Sequence, residues 1–346
     1  MCCINMPLKW LDIDKQIWQE ELDYFVPSMI FDIHTHLYRW SFNLNINNDT
    51  AERYRLIGES FPDSSWNLLN SIDRLLLPER QIHRLSFAFP FCPSCDIRAS
   101  NEFAASQVLH DPQSAALMLT QPSMSADYLR KQIEQFHFVG FKPYPGYAAG
   151  CDTSRCRITD FIPQTHIDVA DKLGLLIMMH LSKQTAVTDS ENLQDLRTLT
   201  DKYPNAKLIL AHCARSYSSR PIEKAKKHLS ILHNVWYDVS SVCESEAIEA
   251  LISAVGPERV MYGSDNLPVG AMRGKYITFG YGWTYLGPNN HLFDLSHCNP
   301  QMTFVLYEQL RAMRTAAEKL RLNDSCIQQM FFGTAAALVD SVRRNA

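Results

Sequence analysis

The run Met29-Ile30-Phe31-Asp32-Ile33-His34-Thr35-His36-Leu37 is apolar along most of its length and ends in two histidines one residue apart. A near-continuous apolar run of this length predicts a strand covered on both faces, which is the condition of parallel β-structure. Residues two apart in a strand point the same way, so His34 and His36 project to one side and can chelate a single ion. Asp32 lies on the same face, where it can meet a ligand or support the two histidines from behind.

Seven further runs have the same character: Arg84–Phe91, Ala115–Thr120, Phe138–Tyr144, Leu175–Leu181, Lys207–Ala211, Val235–Ser240 and Arg259–Ser264. Helical periodicity falls between them at Ser125–Phe136, Asp160–Leu173, Asp189–Tyr203, Arg220–Leu232 and Ser245–Val255. Gly174 and Gly256 stand where a helix would be capped at its C-terminus, and Ser245 where one would be capped at its N-terminus. Eight strands alternating with helices predict an α/β fold, a (β/α)₈ TIM barrel formed by residues 1–346 as one domain. A doubly wound open sheet is the rival. No Gly-rich phosphate loop follows the first strand, and polar residues end many different strands, both of which disfavour it. Tyr38–His83 after strand one and Asn266–Pro300 after strand eight are long for connections. Both should emerge at the C-terminal face of the barrel as lids or pocket walls, the second through its run Gly280-Tyr281-Gly282-Trp283-Thr284-Tyr285-Leu286-Gly287. Pro300–Arg321 and Ser325–Val342 read as extra terminal helices.

The strand ends carry the chemistry. Strand five ends in Met178-Met179-His180, strand six in Leu210-Ala211-His212 and strand eight in Gly263-Ser264-Asp265. A barrel brings all of these to one rim, so His34, His36, His180 and Asp265 are expected to hold a divalent metal. A lone histidine is more often a hydrogen-bonded structural residue, and His83, His110, His137, His166, His228, His233, His291 and His297 are read that way.

These motifs, in this order, resemble the amidohydrolase superfamily and in particular its amidohydrolase-2 branch. That branch includes aminocarboxymuconate-semialdehyde decarboxylase and related hydrolases and decarboxylases. The matching pieces are Asp32-Ile33-His34-Thr35-His36, His180, His212 and Gly263-Ser264-Asp265. The later run Phe331-Phe332-Gly333-Thr334-Ala335-Ala336 is similar to the family's Gly-Asn-Ala segment, with Thr334 in place of Asn. The resemblance runs from Met29 to Leu338. It implies metal binding by His34, His36 and His180 with Asp265 at or beside the ion. It also implies catalytic roles for His212 and Asp265, with His212 acting on the bound water or binding a second metal. A divalent ion brings the pKa of bound water down to about 7, which makes the implied chemistry available at neutral pH. Zinc suits such a ligand set, with manganese and iron left open by ligand type.

Lys142, in Gly140-Phe141-Lys142-Pro143-Tyr144-Pro145-Gly146, separates two versions of the site. In binuclear relatives a carboxylated lysine on this strand bridges two metals, and the local run is similar to one in dihydroorotase. A second metal would then take Lys142 and His212. The other version has one ion and an ammonium that binds an anionic substrate group, and this single-metal version is the one favoured here. Tyr144, Arg39 and Arg215 follow strands four, one and six and are the remaining expected substrate-binding residues, arginine being suited to carboxylates. Cys92 and Cys95 form a lone Cys-x-x-Cys, and Cys151 and Cys156 do not supply a matching pair, so both are read as structural.

Bulk properties exclude several functions. A formal net charge of −4 with no basic stripe argues against nucleic-acid binding. No apolar run is long enough to span a bilayer, and Met1–Pro7 lacks the pattern of a secretory signal. Ten cysteines without framework spacing are expected to be reduced thiols in a cytoplasmic protein. The expectation is a metal-dependent hydrolase that cleaves a C–N or C–O bond of a small polar, carboxylated metabolite. A non-oxidative decarboxylase with the same ligands is the alternative among enzymes. A catalytically inactive ligand-binding barrel is the alternative of another class. The partner is a small-molecule substrate, and a homo-oligomer is left open.

Overall fold

The computed structural model of the chain describes residues 8–44, 54, 58, 60–150, 152–289 and 294–344. The reading of Met1–Pro7, Cys151 and His291 lies outside them. Eight parallel strands follow one another around a barrel: β1 Met29–His36, β2 Gln81–Phe87, β3 Ala115–Thr120, β4 Gly140–Pro143, β5 Leu176–Met179, β6 Lys207–Leu210, β7 Val235–Asp238 and β8 Val260–Met261. Each pairs with the next in sequence. The last returns to the first: Ile33 N–H donates to Tyr262 O, Asp265 N–H to His34 O and His36 N–H to Asn266 O. This is a (β/α)₈ TIM barrel.

The helices of ten or more residues are α1 Trp66–Leu76, α2 Ile97–Val108, α3 Ala126–Phe136, α4 Gln164–Leu173, α5 Ser190–Lys202, α6 Ser219–Leu229, α7 Ser245–Val255, α8 Val305–Lys319 and α9 Thr334–Arg343. Their starts are chemically marked. Ser65, Asp96, Ser125 and Asp189 accept from backbone N–H groups of the first turn, filling donors that a helix leaves open. Gly174 ends α4 at φ 62°, a left-handed conformation that costs glycine little.

Several boundaries depart from the sequence reading. The second strand starts at Gln81 and ends at Phe87, because Phe89-Pro90 turns the chain off the sheet. The fourth, fifth, seventh and eighth strands are shorter than expected. Ser245 is the first residue of α7 and Glu244 its cap position. The expected helix Asp160–Leu173 is split at Pro163, which cannot donate into a helix interior. Tyr38–His83 contains the first barrel helix, α1, so the excursion there is much shorter than it looked. Pro300–Arg321 contains α8, the barrel's own eighth helix, and of the two terminal helices only α9 is extra. Between β8 and α8 the chain forms an antiparallel hairpin, β9 Lys275–Phe279 with β10 Gly282–Leu286.

One apolar core fills the barrel and the strand–helix layer. Two of the polar features buried in it tie elements of the barrel together. Arg84 on β2 pairs with Asp73 on α1 and lies over the Trp66 ring at 4.7 Å. Asp32 accepts from the backbone N–H groups of His34 and Ser264, tying β1 to the segment after β8. Burial raises the Asp32 carboxyl to about 7, and Asp73 adds to the rise against the hydrogen bonds from Ser264. A glycine keeps this seam closed: a Cβ on Gly263 would stand 2.8 Å from the Cβ of His34. No helix among the described residues is long and apolar enough to cross a membrane.

Candidate metal centre

His34 and His36 leave the end of β1 side by side, the rings 5.5 Å apart. A register shift between Asp32 and Thr35 lies just before them. His180 is one residue past β5, His212 two past β6, and Asp265 four past β8. The barrel therefore gathers all five expected metal-competent residues at one mouth. Two overlapping groups result: His34, His180 and His212, and His34, His36 and Asp265, with the donor atoms of each group within 4.8 Å of one another. His34 belongs to both.

The polar atoms there are suited to a cation. His34 Nε2 is buried with no hydrogen-bond partner. His180 Nε2 and His212 Nε2 face each other at 3.2 Å. The His212 Nδ1–H is directed at Ser240 O, 2.9 Å away, so its Nε2 turns a lone pair into the mouth. Asp265 Oδ1 stands 3.1 Å from His36 Nε2 and 3.5 Å from His34 Nε2, while its Oδ2 accepts from Ser241 Oγ. Unpaired imidazole nitrogens next to a carboxylate, out of water, are able to hold a metal ion.

Electrostatics keep these donors in ligand form. Burial, reinforced by the charge of Lys142, lowers His34 to about 4 against the pull of Asp238. Burial lowers His36 as well, and His180 well below the ordinary range, the neighbouring His212 adding to the latter. Burial alone would raise Asp265, but His34, the hydrogen bond to His36 and His212 hold it far below the usual carboxylate range.

Lys142 points into the same mouth, fully buried, its Nζ without a hydrogen-bond partner and 4.5 Å from the centre of the Phe87 ring. Burial lowers it to about 7, with Asp238 and Asp265 pulling the other way. Tyr144 is beside it: its ring lies 5.2 Å from both Lys142 Nζ and the His180 ring. Of the two expected arginines, Arg39 stands elsewhere, whereas Arg215 is close enough to His180 for its charge to add to the lowering there. Arg39 is exposed, over the Phe103 ring, in a groove with Trp40, Asp63 and Ser65 that contains none of the histidines. Arg215 donates from Nη1 to Leu181 O and Lys183 O, so it clamps the loop after β5. Cys92 is buried and Cys95 partly so, and burial raises the Cys95 thiol, which suits packing rather than redox work.

Two features escaped the sequence reading. After β6 the chain turns through four consecutive non-glycine residues in left-handed conformation, His212, Cys213, Ala214 and Arg215, with φ between 51° and 57°. Such residues are held against a cost of about 1–2 kcal/mol each. At the end of β7, buried Asp238 touches both His34 and the backbone of His212. Val235-Trp236-Tyr237-Asp238 reads as an ordinary strand that ends in a polar residue, and nothing local marks the carboxylate as shared. The aromatic run after β8 is docked on the site: Trp283 stacks on Tyr217 at 4.2 Å, and Tyr217 lies parallel to His212 at 6.1 Å.

A family model described as amidohydrolase matches residues 32–340. No curated protein matches. Several solved structures share the fold. A 4-oxalomesaconate hydratase from Rhodopseudomonas palustris is 17% identical, with TM-score 0.55 over 91% of this chain and 97% of its own. A proposed 2-pyrone-4,6-dicarboxylic acid hydrolase from Pseudomonas putida is 16% identical, with TM-score 0.54 over 91% and 98%. A 2,6-dihydroxybenzoate decarboxylase from Rhizobium is 11% identical, with TM-score 0.56 over 91% and 99%.

Proposed function

Since this chain belongs to the amidohydrolase family, we propose that it is a metal-dependent hydrolase acting on a C–N or C–O bond of a small carboxylated metabolite. The observation that carries this reading is the convergence of His34, His36, His180, His212 and Asp265 on one mouth with a buried lysine beside them. A divalent cation, zinc in this proposal, would be held by His34, His36, His180 and Asp265 and would supply Lewis-acid polarisation that eases loss of a proton from water.

The side chains do the rest. Ser241 occupies Asp265 Oδ2, which leaves Oδ1 to accept a proton from the attacking water. His212, fixed through Nδ1, offers Nε2 to orient that water or to pass the proton to the leaving group. Lys142, in an apolar wall of Phe87 and Tyr144, gives a substrate carboxylate a strong partner. The rings of Phe87, Phe89 and Tyr144 around the histidines favour a second reading. They suit a flat, unsaturated acid, and non-oxidative decarboxylation would use the same residues to deliver a proton to carbon as carbon dioxide leaves. The relatives named above act on unsaturated or aromatic acids, in keeping with either reaction.

Elemental analysis of protein purified without chelator, followed by turnover assays on a panel of cyclic esters, amides and aromatic carboxylates, is the test. One ion per chain with ester or amide cleavage supports the proposal, and carbon dioxide release selects the second reading. A protein that binds no ion after reconstitution overturns both.

Lys142→Met separates the two versions of the centre. With an ammonium on the substrate, KM rises about 10- to 100-fold, the loss of one charged hydrogen bond, and metal content is unchanged. With a carbamate bridging two ions, the variant loses metal.

A further inference from the structure

We propose that Asp238 is a positioning residue that sets the tautomers of both His34 and His212, so that each turns an unprotonated Nε2 towards the metal. The proposal rests on the metal reading above but concerns a residue outside that ligand set. Asp238 ends β7 and is fully buried. Its two oxygens divide the work. Oδ2 accepts from His34 Nδ1 at 2.9 Å. Oδ1 accepts from His212 N–H at 3.0 Å, from Ser240 N–H at 3.1 Å and from Ser240 Oγ at 2.5 Å.

The proton directions follow from these contacts. An ionised carboxylate only accepts, so the His34 proton must sit on Nδ1, leaving Nε2 bare. Ser240 Oγ spends its hydrogen on Asp238 and can only accept at its other contacts. His212 Nδ1, 2.9 Å from that Oγ and 2.9 Å from Ser240 O, faces two acceptors and must carry the proton. Its Nε2 is bare for the same reason. One carboxylate thereby fixes two rings, the first directly and the second through a serine two residues on. It also holds the start of the left-handed turn through the His212 N–H, and Ser216 N–H returns to His212 O at 2.9 Å. A second hydrogen-bonding group behind a ligating histidine fixes both ring direction and tautomer.

Asp238→Asn is the incisive change because it keeps the shape. If Oδ1 stays with His212 and Ser240, the amide nitrogen faces His34 Nδ1 and donates to it, moving the His34 proton to Nε2, where it blocks ligation. Zinc or cobalt titration of chelated, refilled protein should show affinity reduced about 10- to 100-fold, with thermal unfolding of the metal-free variant close to that of the wild type. Imidazole nitrogen spectra of histidine-labelled metal-free protein should show Nδ1–H on His34 and His212 in the wild type and Nε2–H on His34 in the variant. Wild-type cobalt affinity in Asp238→Asn, or an Nε2–H on either ring of the wild-type metal-free protein, overturns the proposal. The wild-type spectrum decides the matter even where the variant does not fold. A wild-type protein that takes up no metal tells against the metal reading instead, and the two failures are distinguishable.

Discussion

Replacement of His212 by Asn lowers kcat by about 100- to 10,000-fold, the range for losing a positioned proton-transfer group, and leaves the fold as stable as before. The second half follows from local geometry. An Asn amide can present an N–H to Ser240 O as the His212 Nδ1–H does, and the backbone N–H to Asp238 is untouched. Asn also tolerates the left-handed φ of 54° at this position better than most residues. Steady-state kinetics with a metal count on the same sample checks it. Metal retained with kcat lost makes His212 a proton-transfer residue. Metal and activity lost together make it a ligand in the group with His34 and His180. Undiminished turnover removes it from the mechanism.

The sequence carried the barrel because its strands are apolar almost to the last residue and its rim is not. The same contrast exposed the candidate ligands: His34, His180 and Asp265 each break an apolar run where the strand ends. That signal is blind to residues whose importance is relational. Asp238 also ends a strand, yet its role comes from His34, 204 residues away in sequence, and from a turn after the neighbouring strand. Arg39 misleads for the opposite reason. Proximity to a strand end put it near the rim, but a long side chain goes where its contacts are. Arg39 finds an aromatic face outside the mouth, whereas Arg215 stays beside His180 with its guanidinium held by two backbone carbonyls. Helix α1 was hidden because it follows a long excursion and its amphipathic face, with buried Trp66, Leu69, Ile72 and Leu76, includes a buried Asp73. A charged residue on an apolar stripe looks like a break in the pattern until its partner is known. That partner, Arg84, interrupts the apolar pattern of β2 in the same way.

Arg84→Met is accordingly expected to destabilise the fold by about 3–5 kcal/mol, the cost of leaving one member of a buried ion pair uncompensated. Methionine keeps most of the volume and the contact with Trp66, so the change chiefly removes charge. Asp73, 4% exposed in the native protein, keeps the Asn266 amide at 3.5 Å, and its charge already bears on buried Asp32. The denaturant midpoint should fall with little change in the slope of the transition. Activity per folded molecule should persist, because neither residue belongs to either of the metal-competent groups. The double variant Arg84→Met with Asp73→Leu gives the sharper result. If the cost is the stranded carboxylate, removing it restores most of the lost stability, since two apolar side chains can replace a buried pair with little net loss. If the double variant is as unstable as the single one, the loss lies in how the guanidinium packs against Trp66 and not in the charge. An unchanged midpoint in Arg84→Met would mean that the pair does not hold α1 to the barrel.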